Sequence, residues 1–145
     1  MEEGLLITKL NMIDAQIQHE DDLIGQRMSW LVISQSFLFG TLATLIGQRG
    51  LADPAAGAVR LLLVLIPLVG GLLSVLVLAA VGAANYAMQQ WRVALDRICA
   101  LPEARQLDWP RLRHRRRMTM LGDLLPIAVS GGFFLAWVVI LIKTA

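Results

Sequence analysis

The sequence predicts an all-α integral membrane protein with three transmembrane helices, an N-terminal cytoplasmic amphipathic helix and a cytoplasmic extension of the second span. Three observations carry this prediction. First, 57% of the 145 residues are hydrophobic and only 17% are Asp, Glu, Lys or Arg, against roughly 25% charged in a soluble domain. Second, segments 28–48, 61–91 and 124–142 hold no charge, so 71 positions are charge-free and the other 74 carry all 24 charged residues. Third, each segment approaches or exceeds the roughly 20 apolar residues that a helix needs to cross about 30 Å of hydrocarbon. This composition excludes intrinsic disorder, and Cys99, the single cysteine, excludes a disulfide scaffold.

Residues 1–27 form the amphipathic helix. Leu6, Leu10, Ile13, Ile17 and Ile24 recur at three- and four-residue spacing, with Glu20 at the missing position, and Lys9, Asn11, Asp14, Gln18 and Asp22 occupy the opposite face. The first span, 28–47, is bracketed by Gln26-Arg27 and Gln48-Arg49, which favour water. An outer loop, 48–60, leads to the second span, 61–84, with Pro67, Gly70 and Gly71 in its outer half. That apolar run is too long for hydrocarbon alone, so the helix continues into water through Trp91, Leu95 and Ile98 and ends before Pro102. Met88, Trp91, Leu95 and Ile98 give this extension an apolar stripe of its own. The two water-side stripes either bury each other within one chain or line an assembly of several. Segment 85–120 also includes a basic juxtamembrane loop, and the third span, 121–142, has Pro126 in its first turns, where proline suits a helix start.

Basic loops resist translocation. The N-terminal segment and the second loop together hold ten Lys and Arg, against three in the outer loop and the C-terminus. The expected orientation in a cell inner membrane is therefore N-terminus cytoplasmic and C-terminus outside. The acidic start, Met-Glu-Glu-Gly, lacks the basic region of a cleaved signal. Arg111, Arg113, Arg115, Arg116 and Arg117 crowd one stretch before the third span. They act as the topology signal or as an anionic-lipid-binding cluster at about 1 kcal/mol each. Pinned to a bilayer, they offer no groove-reading element for nucleic acid.

Within the first span, Ser34, Thr41 and Gln48 fall on one side of a helical wheel with Thr44 nearby, and Leu31, Leu38, Leu42 and Leu45 fall on the other. The hydroxyl side suits helix packing or the lining of a pore, with Asp123 at the start of the third span as an acidic collar or a helix-terminus charge. Small residues at four-residue spacing mark candidate packing faces: Ser36 and Gly40 on the first span, Gly70 and Ser74 on the second, Ala128, Gly132 and Ala136 on the third. Such faces on all three spans of a short chain point to a homo-oligomer. Gln35 lies toward the leucine side, where its amide needs a partner from another helix or subunit.

No phosphate-binding loop, dinucleotide fingerprint or zinc-protease motif is present. His19, Glu20, Asp21 and Asp22 are consecutive, point around the helix and do not converge on a metal. Neither an enzyme nor a cofactor is expected. The expected function is that of a homo-oligomeric ion channel or pore lined by the first span. The alternative is a non-conducting scaffold, regulator or accessory subunit whose cytoplasmic helices bind a partner protein. Replacing Arg113, Arg115, Arg116 and Arg117 together with Gln is expected to disturb orientation. An unchanged N-in, C-out topology by cysteine accessibility refutes that role.

Overall fold

A computed structural model describes residues 2–47, 56–100, 102 and 116–144. Among them the chain forms three long helices: α1 (Glu2–Gly47), α2 (Ala56–Cys99) and α3 (Arg116–Thr144). All three are long and apolar enough to cross a membrane. The expected amphipathic helix and first span are one uninterrupted helix of 46 residues, about 69 Å at ~1.5 Å per residue. Likewise α2 runs without a break through its 44 residues, from before the apolar segment to Cys99. Its last turn closes with Ala100 N–H donating to Asp96 O at 3.1 Å, ahead of Pro102, whose ring disfavours helix in the residue before it.

One element differs from expectation. α3 begins at Arg116, so Pro126 lies inside the helix and not in its first turns. The apolar run alone sets the expected start near residue 121, whereas the arginines before it are good helix formers and extend the helix backwards.

Helix α2 packs against both neighbours. It runs antiparallel to α1: Leu42 packs in one cluster with Leu63 and Ile66, Gln35 bonds to Gly70 and Ser74, Arg27 reaches Ala80, and Ile24 packs with Val81, Ala84 and Met88. α1 and α3 run in the same direction at a constant offset, with Met28 meeting Ser130 and Gln35 meeting Trp137, 102 residues apart in both cases. Helices α1 and α2 therefore overshoot the apolar layer at the same end, where Glu2 and Cys99 lie.

Two apolar clusters hold this arrangement. At the overshooting end, Ile24, Val81, Ala84 and Met88 are buried, with Met28 and Val77 against them. At the other end, Leu42, Leu63, Ile66 and Trp137 are buried among Leu38, Phe39, Leu45, Val59 and Ile140. Leu10 and Ile13 are buried too, so the inner face of the amphipathic segment is covered, whereas Leu5 and Met12 are exposed. Ile24→Ala is expected to cost about 2–4 kcal/mol through the cavity it leaves. Met12→Ala should change stability by no more than about 0.5 kcal/mol. Thermal unfolding of both variants in detergent checks the contrast.

Candidate functional site

The middle of the bundle holds a dry polar cluster. Gln35 turns into the apolar interior from α1 and is fully buried, as are Ser74 and, within 1%, Trp137. A primary amide brings two N–H donors and an acceptor oxygen, all of which need partners away from water. Here Nε2 donates to the carbonyl of Gly70 at 3.2 Å and to Ser74 Oγ at 3.3 Å. The indole Nε1–H of Trp137 donates to Gln35 Oε1. Ser74 Oγ–H in turn donates to Gly70 O at 2.9 Å. Among the described residues no buried side-chain nitrogen or oxygen is left without a partner.

Shape and hydrogen bonding work together at this level. The Trp137 ring stacks on Phe39 with centroids 4.3 Å apart and planes 6° from parallel, and Phe133 leans on Phe39 at 6.1 Å. On its other side the indole lies against Gly70, where an added Cβ would overlap Cε2 and Nε1. Glycine is thus required at 70 by close approach. At Gly71 the same addition meets only Trp137 Cβ at 3.8 Å and Phe134 Cδ2 at 3.9 Å, ordinary contact distances.

The opposite side of α1 faces away from the chain's own helices. Ser29, Ser36, Gly40, Thr44 and Gly47 are exposed there, and a Cβ added at Gly40 or Gly47 meets nothing within 4 Å. On the flank nearer α2 stand Arg27, Ser34 and Thr41, all half-buried and seven residues apart. That spacing drifts only about 20° per step round a helix, so the three form a nearly straight line. Arg27 Nη1 donates to the carbonyl of Ala80 at 3.3 Å. The hydroxyls bond back within α1: Ser34 to Trp30 O, Thr41 to Phe37 O at 2.9 Å, Ser36 to Val32 O at 2.8 Å and Thr44 to Gly40 O at 3.0 Å. A hydroxyl whose proton is held this way stands in a wet or an apolar setting without an unmet donor.

Of the candidate packing residues, Gly70 and Ser74 lie in the buried cluster. Ser36, Gly40, Ala128 and Gly132 are exposed and Ala136 is half-buried. Gln48, Arg111, Arg113 and Arg115 lie outside the described residues, as do the side chains of Arg116, Arg117 and Asp123. Among the described residues no group of three His, Cys, Asp or Glu is placed to hold a metal ion.

Sequence reasoning finds Gln35 and its need for a partner, but not Trp137 or Phe39. A usable signal was present: Trp137 lies inside the third apolar segment, five residues short of its end at Ile142, whereas tryptophan in spanning helices favours the membrane interface. An indole away from that belt needs an acceptor for its N–H.

Gly70→Ala is expected to cost about 1–3 kcal/mol by overpacking against the fixed indole, whereas Gly71→Ala should be neutral or gain up to about 1 kcal/mol of helix propensity. Trp137→Leu in the Gly70→Ala background should recover part of the loss. A double-mutant cycle of unfolding measurements reads that coupling. Gln35→Leu leaves the Trp137 N–H buried and unpaired and should cost about 1–3 kcal/mol.

The chain matches no protein-family model, no curated protein and no solved structure.

Proposed function

We propose that this chain is an integral inner-membrane protein that assembles as a homo-oligomer and conducts ions past the polar flank of α1. Its N-terminus and basic segment lie in the cytoplasm and its C-terminus outside. The single observation that carries the reading is the division of α1 into two sides. The leucine and Gln35 side is consumed by the chain's own packing, while the small and hydroxylated side remains uncovered at Ser36, Gly40 and Thr44.

Mid-helix glycine costs about 1 kcal/mol relative to alanine, and nothing among the described residues requires it at Gly40. Close approach of a second copy of α1 supplies a reason. With the neighbour seated there, the line of Arg27, Ser34 and Thr41, about a third of a turn round the helix, faces the space between chains. Gln48 continues this line by the same spacing, and Asp123 contributes from α3 at the cytoplasmic mouth. The basic run from Arg111 to Arg117 holds that mouth against anionic lipid.

A second reading has its own support. Leu5, Met12 and Val93 are at least half exposed on the helix segments assigned to water. An open cleft bordered by Tyr86, Gln89, Gln90, Val93, Ala94 and Arg97 runs along the α2 extension. These features suit docking of a partner protein by a non-conducting scaffold. Current separates the two readings. In a Cys99→Ala background, Gly40→Cys is expected to form disulfide-linked dimers on oxidation, and purified oligomers should pass ions in planar bilayers. A monomeric mass in several detergents and in nanodiscs refutes assembly; oligomers without current refute conduction and leave the scaffold.

A further inference from the structure

We infer that the permeant ions are anions, selected at the cytoplasmic mouth by Arg27. The inference rests on the pore reading and adds the sign of the charge that passes. Arg27 occupies the same seven-residue line as Ser34 and Thr41, at the cytoplasmic limit of the charge-free stretch that begins at Met28. In a closed ring of copies, each Arg27 recurs at one depth. A ring of guanidinium groups selects for anions as a ring of carboxylates selects for cations.

Three features of the site favour this role over a purely positional one. The side chain is half-buried in the seam between α1 and α2, and its one described hydrogen bond engages Nη1 alone. A guanidinium carries five N–H donors and keeps its charge at any pH a protein survives, so donors remain to meet a passing anion. The Ala80 carbonyl that accepts from it is uncharged and leaves the positive charge uncancelled.

Within the first span the surroundings agree in sign, and the acid that shares this mouth, Asp123, lies by the 102-residue offset of α3 from α1 level with Asp21, six residues to the cytoplasmic side of Arg27. Between Arg27 and Arg49 the first span has no acidic residue to oppose it, and Ser34 and Thr41 are neutral. Glu20 continues the same line toward the cytoplasm, seven residues and about 10.5 Å beyond Arg27. At the far end, Arg60 of α2 and Lys143 of α3 are exposed, so both ends of the apolar layer carry cations.

Reversal potentials under a KCl gradient, with purified protein in planar bilayers, test the inference. The wild type is expected to reverse toward the chloride equilibrium potential. Arg27→Gln should lower the chloride-to-potassium permeability ratio about fivefold or more, the weight of one unit charge acting at ~4 Å through water. Arg27→Glu should invert the preference and Arg27→Lys should retain it. A cation-selective wild type overturns the inference, and so does a ratio that Arg27→Gln leaves unchanged in correctly assembled oligomers. Both results leave the pore reading standing. Absence of current from wild-type oligomers overturns the pore and the anion selectivity together.

Discussion

The Gln35 amide is the constraint from which the rest of the bundle is arranged. Inside an apolar layer, two donors and an acceptor have no water to turn to, and α1 supplies none of the observed partners. Satisfying them takes Gly70 and Ser74 of α2 and Trp137 of α3 at one level. Interhelical hydrogen bonds in lipid contribute only about 0.6–2 kcal/mol each. Their larger consequence is register, because sliding or rotating any of the three helices leaves a buried polar group unpaired. The glycine at 70 belongs to the same constraint, since the indole reaches the amide only across a helix surface without a Cβ.

Away from that level the driving force changes along the helix axes. On the proposed membrane reading, burial of apolar surface between the spans gives little, and close packing of Leu42, Leu63, Ile66 and Phe39 does the holding. Where α1 and α2 overshoot the apolar layer, the same reading makes water the competing solvent, and burial then counts at about 25 cal/mol per Å². Ile24, Val81, Ala84 and Met88 form a cluster there. The antiparallel register set by Gln35 and Gly70 is the one that brings Ile24 alongside Met88, so the polar contact and the apolar cluster select the same pairing.

Much of this fold is legible in the sequence because charge segregation and helical periodicity are local properties. The three apolar helices and the continuation of α2 past Tyr86 follow from them. The division of α1 falls elsewhere than expected: Ser36, Gly40 and Thr44 are exposed opposite the leucines, whereas Ser34 and Thr41 are half-buried on the leucines' flank toward α2, because at about 100° per residue they lie close to Leu38 and Leu45. The two sides' assignments are less accessible: Gln35 and Ser36 are adjacent, yet one is fully buried and the other exposed. Deciding which side turns inward requires knowing that an indole from α3 waits for the amide. Trp137 and Gln35 are 102 residues apart, and no periodicity within one helix links them. The position of Pro126 was illegible for a different reason. A proline near the start of an apolar run resembles a helix beginning, and only the helical arginines before it show otherwise.

The same geometry restricts where a membrane activity can sit. The inward faces of all three helices meet in a dry cluster whose described polar atoms are mutually satisfied, so a water path through the middle of one chain would have to break those bonds. Outward, α1 presents hydroxyls already bonded to its own backbone and glycines whose open side no described residue approaches. On the proposed reading a wet path runs between chains, along the flank where Ser34 and Thr41 stand half-buried. In that arrangement the Gln35 cluster is the rigid backing of each subunit. It fixes the rotation of α1 against α2 and α3 within the chain.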